Sequence, residues 1–87
     1  MKAVHSFKDR SLDFVFIDGD HRFDYVCADI IFWAPKVKTD GIVACHDYSN
    51  WYEVGVIQAV DSYTYCHDIH PLYINFEPSP TVFWVNP

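Results

Sequence analysis

Ionisable side chains directly follow two predicted strands, and these residues of the 87-residue chain are the best suited to chemistry. Asp18, Asp20 and His21 come after the first strand, and His46 with Asp47 comes after the second. Carboxylates and imidazoles can together hold a divalent cation, accept a proton or orient a reacting group. Ligands of open α/β sheets bind just outside the carboxyl ends of the strands, so we expect a functional site here.

The segment 12–18 predicts the strand that positions the first group. Five of the six residues from Leu12 to Ile17 are apolar. A continuous run of this kind is typical of a parallel strand that is covered on both faces. Gly19 then allows the backbone to turn sharply and to approach a ligand closely. A second apolar run at 41–45 predicts the neighbouring strand, which ends at the second polar group.

The residues between these strands have the periodicity of a helix. Apolar side chains recur on one helical face at Phe23, Val26, Cys27, Ile30 and Ala34. Pro35 should end this helix, and we expect a polar connection over 36–40 with a turn at Asp40-Gly41. Strand, helix and strand over about 35 residues predict a βαβ unit with a parallel strand pair.

The C-terminal part predicts a shorter helix followed by a hairpin. Helical spacing covers 56–63, and a connection is expected over 66–71. Strand-like runs at 72–76 and 81–85 flank a loop whose two prolines exclude strand there. The predicted fold class is therefore α/β in the order β-α-β-α-β-β, with an antiparallel pair last. Phe32, Trp33 and the strand aromatics are expected in the core.

Composition limits the classes of protein that fit. A chain that is 51% hydrophobic and 18% aromatic should form a packed core, and its length allows one small domain over 1–87. A net charge of -6 without a basic run disfavours nucleic acid or an anionic membrane as partner. No apolar run approaches the ~20 residues that span a bilayer. Three cysteines without CxxC spacing favour free thiols and a cytoplasmic location.

The segments with these features also resemble a known family. They lie at 12–21, 28–29, 33–37, 41–44, 46–48, 55–56 and 59–60. Their order and spacing are similar to the C-terminal half of class I S-adenosylmethionine-dependent methyltransferases. The most similar group is the small-molecule O-methyltransferase-like one with Ile-Asp-Gly-Asp-His at a strand end. The resemblance implies a partial Rossmann-like sheet, with strands four to seven of a seven-stranded sheet supplied by this chain.

The same resemblance implies what the chain binds and what it lacks. S-adenosylmethionine is the expected cofactor, with contacts at Asp18, Gly19 and Asp20, and a small molecule is the expected methyl acceptor. The family's glycine-rich loop and ribose-binding acid belong to the N-terminal half, and Gly19, Gly41 and Gly55 form no such loop. We therefore expect an apparently truncated domain that needs a complementing N-terminal half. In the family the first strand pairs with the fourth, so strand 12–18 should be an open edge. Without the helices of the missing half, part of Phe14 and Phe16 should stay uncovered, and we expect a homodimer, a complex with that half or poor solubility.

Metal-dependent relatives of the catechol methyltransferases place carboxylates at the positions of Asp18 and Asp47. These side chains should converge, since neighbouring parallel strands are about 4.8 Å apart. The third ligand is Tyr48 in one alignment, a poor ligand for Mg²⁺, and His46 in other relatives. Imidazole nitrogen would favour Mn²⁺, Fe²⁺ or Zn²⁺ over Mg²⁺.

His21 occupies the place of a lysine general base in those relatives. Histidine suits this role, because its ordinary pKa of about 6.5 lies near operating pH. It would deprotonate an acceptor hydroxyl that then attacks the methyl group of the cofactor. The alternative is that His21 only bonds Asp18 or Asp47 and orders the loop, while Asp20 caps the following helix. Trp51 and Tyr52 would wall a substrate pocket or cover the sheet edge.

Two other functions fit the sequence. One is a non-catalytic interaction module that keeps this half of the sheet and pairs with itself or with another protein. The other is a metal-dependent hydrolase that would use the whole polar cluster, namely Asp18, Asp20, His21, His46 and Asp47.

Overall fold

The computed structural model describes residues 7–49 and 55–87 of the chain. Its elements are β1 (Leu12–Ile17), α1 (Phe23–Trp33), a 3₁₀ turn (Ala34–Lys36), β2 (Val37–Cys45), α2 (Val56–Cys66), β3 (Tyr73–Ile74) and β4 (Val82–Val85). The strands form a mixed four-stranded sheet in the order β1-β2-β4-β3. β1 and β2 are parallel, and the other pairs are antiparallel. The predicted α/β class, partial Rossmann-like sheet and βαβ unit are confirmed.

Strand β2 is longer than predicted. The polar connection expected over 36–40 is wrong, because β2 begins at Val37. Its pairing with β1 is irregular between Val37 and Ile42, where the extra residues of β2 bulge out of the ladder. Asp40 lies in this bulge with a left-handed φ of 70°. A Cβ on the next residue, Gly41, would lie 2.6 Å from Cγ1 of Val37, so the bulge closes only around a glycine.

The main core lies between the sheet and both helices. Trp84 at the centre of β4 is fully buried, and it lies across from Val43 of β2. Residues of all the large elements join this cluster, including Ile17, Val26, Ile30, Cys45, Ala59, Val60 and Val82. The apolar stripes of α1 and α2 therefore cover the same face of the sheet, which orients the strands and fixes where their carboxyl ends point.

The opposite face of the sheet is apolar and partly exposed. The residues on it are Phe14, Ile42 and Val85 in one cross-strand row, and Phe16, Ala44, Phe83 and Tyr73 in the next. Phe14 is 53% exposed and Phe16 is 46% exposed. The cover on both faces of β1 that the apolar run alone indicated is therefore wrong. The expectation that part of Phe14 and Phe16 stays uncovered is confirmed. Phe32 is also exposed, contrary to its expected place in the core.

The C-terminal hairpin is confirmed, with shorter strands than predicted. β3 contains only Tyr73–Ile74, and β4 begins at Val82. The Asn75 N–H donates to the Thr81 carbonyl over 3.2 Å, and the Thr81 N–H donates to Oδ1 of Asn75 over 2.9 Å. These bonds close the proline loop. Neither α1 nor α2 is long and apolar enough to cross a membrane, and the described residues contain no other candidate helix.

Candidate metal site at the carboxyl ends of β1 and β2

Asp18, His46 and Asp47 come together where β1 and β2 end. The His46 N–H donates to the Ile17 carbonyl over 3.0 Å, which aligns the two strand ends. One ligand atom from each of the three side chains lies within 4.8 Å of the others. Nδ1 of His46 lies 3.5 Å from Oδ1 of Asp18 and 3.1 Å from Oδ2 of Asp47. The structure thus brings together the three residues that were predicted to hold a metal.

The ring nitrogen Nδ1 of His46 is the least satisfied atom of the cluster. It is buried, and within the described residues it has no hydrogen bond of acceptable geometry. Leaving a buried polar atom unpaired costs about 1–3 kcal/mol. A divalent ion would use its lone pair, and the donor set of two carboxylates and one imidazole suits Mn²⁺, Fe²⁺ or Zn²⁺. The side chains present therefore fit a divalent ion.

Asp47 has an unusual backbone conformation. Its φ of 57° lies in the left-handed region, which costs an L-residue about 1–2 kcal/mol. The Ser49 N–H donates to the Asp47 carbonyl over 2.7 Å and closes the turn. Non-glycine residues in such conformations are frequent at functional sites. No local sequence pattern indicates this turn, because aspartate adopts many other conformations more readily.

His21 contacts the same carboxylate from the loop after β1. Its Nε2 lies 2.7 Å from Oδ2 of Asp47, whose side chain is largely buried. When Nε2 carries the proton and donates it to Asp47, Nδ1 keeps a lone pair that can accept a proton. The ordering contact predicted for His21 is therefore present, and its general-base role stays a prediction that this tautomer allows.

Gly55 packs against the site loop, and no sequence pattern predicted this contact. It precedes α2 and lies against the backbone of the His21 loop. A Cβ at this position would lie 2.2 Å from the carbonyl oxygen of His21 and 2.6 Å from the amide nitrogen of Phe23. Real Cβ contacts are never that short, so only glycine allows this approach.

Asp20 lies outside the three-residue cluster and is bound to Arg22. Its Oδ1 accepts the Arg22 backbone N–H over 2.9 Å, and its Oδ2 accepts from the guanidinium over 2.7 Å. These bonds lower the pKa of the Asp20 carboxyl to about 2. The predicted capping of α1 by Asp20 is wrong, because Arg22 is the N-cap residue and, within the described residues, no side chain caps this helix. Asp20 instead orders the residue before the helix.

An open pocket is lined by Asp18 and Gly19, two of the residues predicted to contact the cofactor. Its volume is about 360 Å³, and its lining includes Asp18, Gly19, Asp29 and Trp33. Burial raises the pKa of the Asp29 carboxyl. The cofactor contacts of Asp18, Gly19 and Asp20 stay predictions.

Tyr48 directs its hydroxyl away from the metal-site candidates. The phenol donates to Oδ1 of Asp61 on α2 over 2.5 Å. Of the two residues that alignments suggest as third ligand, His46 therefore has the suitable geometry. Trp51 and Tyr52, the predicted pocket walls, lie outside the described residues.

Comparison with known proteins identifies the family. A family described as a methyltransferase domain matches residues 1–48, which is more than half of the chain. The chain therefore belongs to this methyltransferase family, and the resemblance seen in the sequence is confirmed at this level. The matched residues include both strand ends of the site. Methyltransferase domains generally use S-adenosylmethionine as their methyl donor.

A curated relative extends the similarity beyond the matched region. The chain is 27% identical over 82 residues to the uncharacterized protein y4gI of Sinorhizobium fredii (strain NBRC 101917 / NGR234). The alignment covers 83% of this chain and 9% of that relative. The chain thus spans about a tenth of the relative's length.

Proposed function

We propose that this methyltransferase domain methylates a hydroxyl oxygen of a small molecule, with a divalent ion held by Asp18, His46 and Asp47. The observation that carries the proposal is the buried Nδ1 of His46, which faces two carboxylates without a directed hydrogen bond. Membership of the family supports methyl transfer, and the donor set supports the ion.

His21 acts in this proposal as the general base. S-adenosylmethionine supplies the methyl group, and a divalent ion favours ionisation of the acceptor hydroxyl. Nδ1 of His21 takes the hydroxyl proton, while Asp47 accepts the hydrogen bond from Nε2 and fixes the ring orientation. With the cofactor bound, its methyl group would pass to the acceptor oxygen and its sulfonium would become a neutral thioether. In this proposal Asp47 is both a ligand of the ion and the hydrogen-bond acceptor that orients His21.

The 87-residue chain alone should bind S-adenosylmethionine with a dissociation constant in the millimolar range. This corresponds to a binding free energy of about -4 kcal/mol. None of its glycines forms the loop whose backbone N–H groups usually cradle such a cofactor. Isothermal calorimetry of the chain with the cofactor measures this affinity. Micromolar binding would show that 1–87 contains a complete cofactor site.

Methyl transfer itself should require a complementing half. We expect label from S-adenosylmethionine to reach catechol when the chain is mixed with a family member's separately produced N-terminal half and Mn²⁺. His21→Ala should slow this transfer by about 10²–10⁴-fold, the usual contribution of a general base. His70→Ala, at an exposed histidine in the loop before β3, should change nothing.

Three results would count against the proposal. Transfer that is unaffected by a chelator would reject the ion, and an unaffected rate in His21→Ala would reject the base. A mixture that binds labelled cofactor and methylates no hydroxylated acceptor would favour the non-catalytic interaction module.

A further inference from the structure

The turn that carries Asp47 is attached to α2 through the next residue, Tyr48. Its hydroxyl donates to Oδ1 of Asp61 over 2.5 Å, and its backbone N–H donates to the Pro80 carbonyl over 2.9 Å. The ring is partly buried against the main core. Tyr48 is therefore held at its backbone, its ring and its hydroxyl by three different parts of the fold.

These contacts of Tyr48 restrict the backbone of the preceding residue, Asp47. The left-handed φ of Asp47 is less favourable than the right-handed or extended regions even for aspartate, so contacts on both sides of the residue help to hold it. On one side His46 is bonded to β1, and on the other side Tyr48 is bonded to the hairpin and to α2.

The geometry points to Tyr48 and Asp61 as positioning residues that hold the Asp47 carboxylate at the metal and at His21. Neither residue is among the three side chains that could hold an ion, and each would act through the backbone of the 46–49 turn. The inference rests on the proposed function, because the position of Asp47 matters most if Asp47 is a ligand. Outer residues that orient a metal ligand typically contribute 10–100-fold to affinity.

Four variants of the 87-residue chain separate positioning from general stability. Tyr48→Phe and Asp61→Ala remove the bond between the turn and α2, and each should weaken Mn²⁺ binding by about tenfold or more in a calorimetric titration. Asp61→Asn keeps an acceptor oxygen and should retain the wild-type affinity. Tyr65→Phe removes the hydroxyl of a residue that is 88% exposed on the same helix, and this variant should also retain the wild-type affinity. Equal affinities in all four variants would overturn the inference.

A metal-free measurement distinguishes failure of this inference from failure of the proposed metal site. The NMR coupling between the amide and α protons of Asp47 reports its φ. Tyr48→Phe and Asp61→Ala should change this coupling, and Asp61→Asn and Tyr65→Phe should preserve it. If the wild type binds no Mn²⁺ and the coupling still changes, the metal site is wrong and the positioning role stands. An unchanged coupling in both disruptive variants would reject positioning.

Discussion

Replacing Asp47 by alanine should remove divalent-ion binding from the chain. Oδ2 of Asp47 lies 2.7 Å from Nε2 of His21 and 3.1 Å from Nδ1 of His46, so this carboxylate joins the predicted base to the predicted ligands. Without it, only Asp18 and His46 remain as donors from the chain. We expect Mn²⁺ affinity to fall by about 100-fold or more, measured by calorimetry at constant pH.

Two further variants test the origin of this loss. Asp47→Asn keeps the shape of the side chain and tolerates a left-handed backbone, so its loss of affinity would reflect the missing charge. Asp68→Ala removes a carboxylate that is 94% exposed after α2, and it should leave the affinity unchanged. Circular dichroism would verify that each variant is folded. If Asp47→Ala binds Mn²⁺ as tightly as the wild type, the site is elsewhere.

The chain should associate through β1, with a molar mass at least twice that of the monomer. β1 lies at the edge of the sheet, and in the described part of the chain its only strand partner is β2. It contains no lysine or proline, two of the residues that protect natural edges. Phe14 and Phe16 add an apolar surface beside this edge. Size-exclusion chromatography with light scattering measures the mass.

A charge at the edge should reverse this association. Phe14→Lys places an ammonium group on the uncovered face of β1 and should yield a monomer, because burying an unpaired charge is costly. Ile31→Lys changes an exposed apolar residue on α1, and it should leave the association intact. A wild-type chain that stays monomeric at high concentration would contradict the prediction.

The convergence of the site could be predicted from the sequence because it follows from local patterns and one topological rule. Two apolar runs separated by a helical repeat must form parallel neighbours, and parallel neighbours end at the same edge of the sheet. The positions of Asp18 and Asp47 follow directly. The start of β2 does not follow, because Val37 enters the sheet through a bulge that tertiary contacts stabilise.

Other features depend on contacts between distant segments and have no local pattern. The left-handed turn at Asp47 and the bond between Tyr48 and Asp61 are examples. The exposure of Phe14 was expected only from the absence of the covering half of the fold, since an apolar run by itself has the same pattern whether one face or both faces are covered. A sequence pattern identifies the apolar side chains. Which of them are buried depends on how the helices pack against the sheet.

The close approach at Gly55 has a consequence for motion. Packed side chains can absorb a small displacement by changing rotamer, whereas backbone atoms in contact cannot. Gly55 places the start of α2 directly against the backbone at His21 and Phe23, with no side chain between them. Any movement of α2 toward the site loop, such as closure over a bound molecule, must therefore displace the backbone segment that carries His21.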